Sequence, residues 1–228
     1  MSAPLVLVGA SGLAREVLSS LDAETRAGVR GFLDDATTLQ GVTMSGVPVL
    51  GRLTQVVQHG DARLLVCVGN GLRRRLLVHR LAALGVVPAR YATVIHPSAV
   101  VPASCSVGRG SILLAHTVLT ADAIVGRHVV AMPSVTITHD DQVADFVTLC
   151  AGTTLGGGVL VGEGAYLGMN SSVREQTTVG AGSVLGMGAV LTRDLPAGET
   201  WIGSPARRLE RVPTTLLPTP AGAEGLTG

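Results

Sequence analysis

An aliphatic residue recurs at every sixth position through the middle of the chain, from Ile95 to Leu191. The series has 17 members without a change of register: Ile95, Val101, Val107, Leu113, Leu119, Val125, Ala131, Ile137, Val143, Leu149, Leu155, Val161, Leu167, Val173, Val179, Leu185 and Leu191. A mostly small residue follows each aliphatic by four positions, and glycine often follows it directly. A helix of about 3.6 residues per turn would spread this period over its whole surface, whereas a short strand with a tight corner accommodates it.

The hexads therefore predict a parallel β-helix. Three hexads close one triangular coil of about 18 residues, so the series builds about six coils. The aliphatic points into a narrow core, the small residue fits beside the corner, and glycine or a polar residue takes the turn. We assign residues 91–200 to this domain and residues 201–228 to a C-terminal segment, whose tail from Pro213 we expect to be disordered.

Residues 1–90 carry alternating strand and helix patterns. A short apolar strand, Leu5–Val8, leads into the turn Gly9-Ala10-Ser11-Gly12 and then into a helix over about 13–21. A second strand, Val29–Leu33, ends in Asp34-Asp35, a third segment ends near Leu50, and a fourth strand over 64–68 ends in Gly69-Asn70. Helices are expected over 53–58 and 72–84. The pattern predicts a small Rossmann-like α/β domain with a parallel sheet of about four strands.

The glycine turn offers backbone N–H groups and a helix N-terminus that can hold phosphate. Asp34 and Asp35 follow it at the spacing at which a carboxylate accepts a hydrogen bond from a ribose hydroxyl in dinucleotide sites. The full dinucleotide fingerprint is absent, and such turns also serve chains that only reverse direction. An NAD(P)-binding protein is therefore an alternative that rests on the turn and these two carboxylates alone.

Three consecutive arginines, Arg73, Arg74 and Arg75, lie on the last predicted helix of this domain. Such a run more often forms a solvated helix face than a phosphate clamp. We expect the solvated face, although the position after a strand's carboxyl end favours a clamp.

Composition excludes several classes of protein. The net charge is +1 and charged residues make up only 14% of the chain, which gives no basis for nucleic-acid binding or for an acidic membrane surface. No apolar run approaches the roughly 18 residues of a membrane span, and the N-terminus leads directly into a strand. We expect a cytoplasmic protein in which Cys67, Cys105 and Cys150 are reduced.

The hexad that begins at Ile137 is unusually polar and contains His139, Asp140 and Asp141. Asp141 even occupies the position that is normally small. Acyl transfer to an amine or a hydroxyl needs a base near neutral pKa, and imidazole with a neighbouring carboxylate suits that task. His116 and His128 fall on other faces of the coil, so the histidines of one subunit do not converge on a metal ion. A metal site shared between subunits stays an alternative.

The ordered combination of Gly9-Ala10-Ser11-Gly12, Asp34-Asp35, Gly69-Asn70, His96-Pro97-Ser98-Ala99, Thr138-His139-Asp140 and Gly203-Ser204-Pro205-Ala206-Arg207 resembles one family. It is similar to the sialic-acid O-acetyltransferase and bacillosamine N-acetyltransferase family. This resemblance covers about residues 4–210. It implies an N-terminal nucleotide-sugar-binding domain and a left-handed β-helix that binds acetyl-CoA, with homotrimeric assembly and no metal.

The resemblance also implies roles for individual residues. His139 corresponds to the general base, Asp140 to the acid that tunes it, and Gly157 to a backbone N–H donor for the thioester oxyanion. Positions along the acetyl-CoA groove fall on Thr148, Met169 and Met187. Positions that bind the sugar nucleotide fall on Ser11, Gly12, Leu13, Asp34, Asp35 and Gly69. Leu13 and Thr148 depart from the family, which often has histidine at the first position and has histidine at the second in close relatives.

The sequence thus predicts an acetyl-CoA-dependent N-acyltransferase that acts on the amine of a nucleotide-linked amino-deoxy sugar. O-acetylation of a sugar hydroxyl, including that of sialic acid, is the alternative within the same class. A non-catalytic protein that binds nucleotide sugars is the alternative from another class, although the His139-Asp140 pair disfavours it.

Overall fold

The computed structural model describes residues 3–210, so the predicted disorder of the tail from Pro213 lies outside the described residues. Its α/β part contains β1 (Leu5–Val8), α1 (Gly12–Ser20), α2 (Ala23–Ala27), β2 (Val29–Leu33), β3 (Thr43–Met44), β4 (Val47–Gly51), β5 (Arg63–Val66) and α3 (Gly71–Ala83). Short 3-10 helices cover Thr37–Leu39, Leu53–His59 and Pro88–Arg90. The sheet has the order β3-β4-β2-β1-β5 and is parallel except for the β3–β4 hairpin. The predicted α/β class is confirmed.

Two local elements differ from the prediction. The segment expected as a helix over 53–58 is the 3-10 helix Leu53–His59, in which the β-branched pair Val56 and Val57 disfavours a regular α-helix. The helix α2 (Ala23–Ala27) was not predicted from the sequence. Asp22 caps this helix by accepting a hydrogen bond from the N–H of Thr25 at 2.7 Å.

From residue 94 onward the chain forms two- and three-residue strands. They are β6 (Val94–Ile95), β7 (Ser106–Val107), β8 (Ile112–Leu113), β9 (Val118–Leu119), β10 (Ile124–Val125), β11 (Val130–Ala131), β12 (Thr136–Ile137), β13 (Gln142–Val143), β14 (Thr148–Leu149), β15 (Thr154–Leu155), β16 (Leu160–Val161), β17 (Tyr166–Leu167), β18 (Ser172–Val173), β19 (Thr178–Val179), β20 (Val184–Leu185), β21 (Val190–Leu191), β22 (Thr200–Ile202) and β23 (Arg207–Arg208).

These strands form the three sheets of a parallel β-helix, as predicted. Sheet I contains β6, β8, β11, β14, β17, β20, β22 and β23; sheet II contains β9, β12, β15, β18 and β21; sheet III contains β7, β10, β13, β16 and β19. The chain passes from sheet I to II to III and back, so each coil has three corners, here called I–II, II–III and III–I. The parallel strands pair with the strand one coil away, as in the pairing of Thr148 with Tyr166. The exception is β23, which pairs antiparallel with β22.

The hexad aliphatics fill the β-helix core from Leu113 to Leu191. Ile95, the first member of the series, is instead 43% exposed, because no coil lies above it. Glycine or a polar residue takes most of the turns, as predicted, for example Gly158 (φ 70°) and Gln176 (φ 56°). The fourth residue of the hexad takes the left-handed conformation, as in Asp140 (φ 63°). Glycine directly after the aliphatic serves close stacking, since a Cβ on Gly126 would lie 2.7 Å from the N of Asp145 in the next coil.

The α/β part packs on sheet I. Ile112, Leu114 and Val130 of the β-helix share one apolar cluster with Leu7 of β1 and Leu65 of β5. Burial of this apolar surface holds the two parts together, because separating them would expose apolar side chains to water at a cost in free energy.

Arg74 of α3 joins the two parts at the III–I corner. Its side chain is wholly buried and donates to the carbonyl oxygens of Val68, Gly69, His128, Phe146 and Val147 and to Oγ1 of Thr148. The expectation of a solvated arginine face is therefore wrong for Arg74, although it holds for the exposed Arg73. The guanidinium can be buried here because the surrounding carbonyl oxygens accept hydrogen bonds from its N–H groups.

We predict that Arg74→Met lowers the free energy of unfolding by about 3 kcal/mol, because buried carbonyl oxygens lose their donors. Urea unfolding followed by circular dichroism measures the change. The control, Arg73→Met on the exposed face of the same helix, should change stability by no more than about 0.5 kcal/mol. Equal effects of the two substitutions would contradict the assigned role of Arg74.

Candidate active site

His139 lies at the II–III corner, between β12 and β13, with its imidazole 66% exposed. Its Nδ1 lies 2.8 Å from Oδ2 of Asp140, the left-handed corner residue. An ionised carboxylate accepts hydrogen bonds only, so Nδ1 carries the proton and Nε2 is left with a free lone pair. The hydrogen bond to Asp140 raises the pKa of His139, because the carboxylate stabilises the imidazolium. The arrangement is that of an oriented base.

Gly157 occupies the same corner one coil further along, between β15 and β16. A Cβ at this position would overlap the His139 ring at Nε2 and Cε1, so only glycine lets the imidazole lie over this backbone. Among the described residues the N–H of Gly157 donates to no acceptor, while its carbonyl accepts from Gln176. A base and an unpaired backbone donor therefore lie side by side.

Asp141, the carboxylate at the normally small position of the hexad that contains His139, has no role implied by the resemblance and is wholly buried. Its Oδ2 accepts from the N–H of Thr138 at 2.7 Å, and its Oδ1 accepts from the N–H of Val159 at 2.8 Å. Burial raises the pKa of Asp141 to about 6. The two N–H donors act in the opposite direction, because they favour the ionised form. The signal in the sequence was a carboxylate at the normally small hexad position.

A crevice lies at the carboxyl ends of β1 and β2, where a parallel sheet of this type was expected to bind a ligand. It encloses about 250 Å³ and is lined by Val8, Gly9, Leu33, Asp34, Asp35, Leu53, Val68, Leu77 and Arg80. Asp34 accepts from the N–H of Ala10 at 2.8 Å and so secures the glycine turn. Burial opposes ionisation of Asp35, but the Leu53 N–H and Arg80 outweigh it and hold the pKa of Asp35 below its usual range.

The other residues expected to bind the sugar nucleotide have different exposure. Ser11 caps α1 and donates to the carbonyl of Cys67 at 2.6 Å, and Gly12 is exposed at the start of the helix. Gly69 directs its carbonyl towards Thr148 and Arg74. Leu13 differs from the expectation, since its side chain is not available to a ligand. The side chain is buried in the apolar cluster with Leu7, so only the backbone of Leu13 can reach a ligand.

The three positions expected along the acetyl-CoA groove do not lie together. Met169 and Met187 are exposed at the I–II corner, one coil apart. Thr148 is wholly buried at the junction with the α/β part, where its Oγ1 donates to the carbonyl of Gly69 at 2.6 Å. A side chain without exposed surface offers no contact to a coenzyme, which removes Thr148 from the groove in this chain.

The crevice and the His139 corner lie on opposite sides of the β-helix. The α/β part covers sheet I, whereas the II–III corner is the corner that faces away from sheet I. A ligand held in the crevice of one chain is therefore separated from His139 of the same chain by the β-helix itself.

The other β-helix histidines are placed as the sequence predicted, on different corners from His139. His128 packs between Tyr91 and Phe146, and burial lowers its pKa to about 4. Within residues 3–210, no three His, Cys, Asp or Glu side chains are grouped so that they could hold a metal ion. None of the helices in the described chain is long and apolar enough to cross a membrane.

Comparison with known proteins gives the family. The family model of the PglD N-terminal domain matches residues 4–81. The acetyltransferase domain of PglB from Neisseria gonorrhoeae, solved with acetyl coenzyme A, is 33% identical with a TM-score of 0.81, over 92% of this chain and 100% of that one. PerB from Caulobacter crescentus, solved with CoA and GDP-perosamine, is 31% identical with a TM-score of 0.82, over 92% and 99%.

Structures of that perosamine N-acetyltransferase with one histidine replaced by asparagine or alanine hold the same two ligands. A GDP-perosamine N-acetyltransferase from Escherichia coli O157:H7 is 28% identical over 156 residues, which cover 66% of this chain and 69% of that protein. The left-handed parallel β-helix, the α/β part and these relatives lead to one conclusion. The chain belongs to the acetyl-CoA-dependent sugar N-acetyltransferases of the bacillosamine and perosamine type.

Proposed function

We propose that the protein transfers an acetyl group from acetyl-CoA to the amine of a nucleotide-linked amino-deoxy sugar, with His139 as the general base. The observation that carries this proposal is the position of the His139 Nε2 over Gly157, whose N–H is unpaired among the described residues. Acyl transfer to an amine needs these two functions at one point: a base for the proton and a donor for the developing oxyanion. Acetyl-CoA, when bound, supplies the thioester.

His139 would accept a proton from the attacking amine through Nε2. Asp140 prepares this step in two ways, because it fixes the tautomer at Nδ1 and raises the basicity of the ring. The proton held by the imidazolium is then available to the departing thiolate of CoA, which returns His139 to its neutral form. Charge and protons balance without another group.

The N–H of Gly157 would donate to the thioester oxygen as negative charge develops on it. A backbone donor held by strand pairing needs little reorganisation during the reaction, which is the basis of oxyanion stabilisation. The absence of a side chain at Gly157 lets both the imidazole and the reacting carbonyl approach this donor.

The acceptor's nucleotide would lie in the crevice of the α/β part that Asp34 and Asp35 line. Ser11, Gly12 and Gly69 lie outside that lining and would contact the sugar nucleotide from the neighbouring turns, with Leu13 contributing only through its backbone. GDP-perosamine, which the Caulobacter relative binds, is the first acceptor to test. Met169 and Met187, both exposed, would contact the coenzyme. We place the reaction in the cytoplasm, where acetyl-CoA is available.

We further propose a homotrimer, in which each complete site combines parts of two subunits. The β-helix separates the crevice from the His139 corner of the same chain, so another copy must bring them together. The methionines at the I–II corner also lie apart from His139, which fits a coenzyme held between neighbouring β-helices. Cyclic assembly of identical subunits repeats such a shared site at every interface.

We predict that His139→Ala lowers kcat with acetyl-CoA and the best amino sugar by about a hundredfold or more, because general base assistance is lost. Release of free CoA, measured with UDP-, dTDP- and GDP-linked amino sugars, gives the rates. His116→Asn, which keeps an allowed left-handed residue at an exposed corner, is the matched control and should leave kcat unchanged. Full activity of His139→Ala would overturn the base assignment, and no turnover of the wild-type enzyme with any amino sugar of the panel would favour O-acetylation.

We predict that Asp140→Asn lowers the pKa of His139, because the imidazolium loses its carboxylate partner while asparagine still tolerates the left-handed backbone. Titration of the imidazole Cε1–H resonance by NMR measures the shift. The control is Asp122→Asn, since Asp122 has the same conformation at the same corner one coil earlier and makes no hydrogen bond to His139. An unchanged pKa in Asp140→Asn would show that the pair is not formed in solution.

A further inference from the structure

Asp141 is the only wholly buried carboxylate within residues 3–210. Burying a carboxylate in an apolar core is costly unless hydrogen bonds compensate for the lost water. The charged groups that act on it are His139 and Asp140, both on the corner above it. The presence of a carboxylate in a core that, apart from Trp201, is built from aliphatic and small residues therefore needs a reason.

The β-helix does not need a carboxylate at this position. The equivalent residues on the same corner are Ala123 one coil earlier and Val159 one coil later. Where a coil-to-coil hydrogen bond does occur at this hexad position elsewhere, a neutral hydroxyl suffices. Ser111 accepts from the N–H of Val129, eighteen residues further along, at 2.9 Å. The coils therefore stack either without any side-chain hydrogen bond at this hexad position or with one that a serine accepts.

The two carboxylate oxygens of Asp141 bind two different coils. Oδ2 accepts a hydrogen bond from the N–H of Thr138, the residue directly before His139. Oδ1 holds the N–H of Val159, two residues after Gly157. One rigid, planar group therefore connects the backbone that carries the base with the backbone that carries the unpaired N–H donor.

We propose that Asp141 is a positioning residue, which holds the corner of His139 and the corner of Gly157 at the separation that acetyl transfer requires. It acts through the backbone and touches no substrate, and the inference rests on the proposed function of these two residues. Misplacement of reacting groups by about 1 Å costs up to about a hundredfold in rate, so a fixed separation has a direct kinetic value. The charge of Asp141 also acts on His139, after the larger effect of Asp140, and favours its protonated form.

The test compares two substitutions with one control. Asp141→Asn keeps the shape but offers only one acceptor oxygen, and Asp141→Ser keeps an acceptor for Val159 as Ser111 does for Val129. Both should lower kcat by about 10- to 100-fold with a KM for the amino sugar within about twofold of wild type. Ser111→Ala removes the corresponding coil-to-coil bond far from His139 and should leave kcat unchanged.

Two readouts separate positioning from a purely structural role. Loss of the Asp141 charge lowers the pKa of His139, so the acid limb of the kcat/KM profile should move to lower pH in Asp141→Asn. In a double-mutant cycle, adding Asp141→Asn to His139→Ala should lower kcat by less than about a further twofold, because the two residues act as a unit. The proposal would be overturned if the acid limb of Asp141→Asn stays at its wild-type pH and the losses of the two single variants multiply in the double variant.

The failure of this inference is distinguishable from that of the proposed function. If His139→Ala retains wild-type activity, the proposed function of His139 is wrong, and the double-mutant cycle is not carried out. If His139→Ala is inactive while both Asp141 variants keep wild-type kcat, only the positioning role is wrong. Should Asp141→Asn not fold, Asp141→Ser supplies the same rate comparison, and thermal unfolding of every variant shows which ones remain native at the assay temperature.

Discussion

The vertical stacking of coils is the constraint on which the site depends. Strands pair in register with those one coil away, so residues eighteen positions apart in the sequence lie directly above one another. His139 and Gly157 have this separation, and no other feature of the chain brings them together. Because the backbone of each corner is held by parallel pairing on both sides, an N–H donor and an imidazole can be placed side by side without a rigid cavity around them.

A second constraint is the junction between the two parts. Burial of Ile112, Leu114 and Val130 against the α/β sheet, together with the buried guanidinium of Arg74, fixes that part on sheet I. The crevice consequently lies on the side of the β-helix opposite to the His139 corner of its own chain. The contacts that fix the two parts together therefore also support the proposed assembly, in which another subunit brings its crevice to the His139 corner.

Much of this could be read from the sequence, because the hexad register has a single geometric solution. The period predicted the β-helix and assigned the histidines to separate corners, and the resemblance to a family indicated Gly157 as the partner of His139. The sequence could not show which residue of an arginine run faces inward, since a helix with one buried arginine and two outer ones has no distinctive periodicity. The burial of Leu13 and Thr148 was hidden for a related reason, because both lie where the two parts meet. The bonds of Asp141 needed coordinates, since the sequence shows only an unusual carboxylate.

Subunit complementation tests the account most directly, because it asks whether one site uses the base of one chain and the crevice of another. His139→Ala and Asp34→Ala, each of which is expected to be inactive alone, would be mixed by unfolding and refolding, and the mass of the mixed oligomers would be verified. The account predicts that random trimers regain about a quarter of wild-type activity, since about a quarter of interfaces combine an intact corner with an intact crevice. Mixed trimers without any activity would contradict it and place each complete site within a single chain.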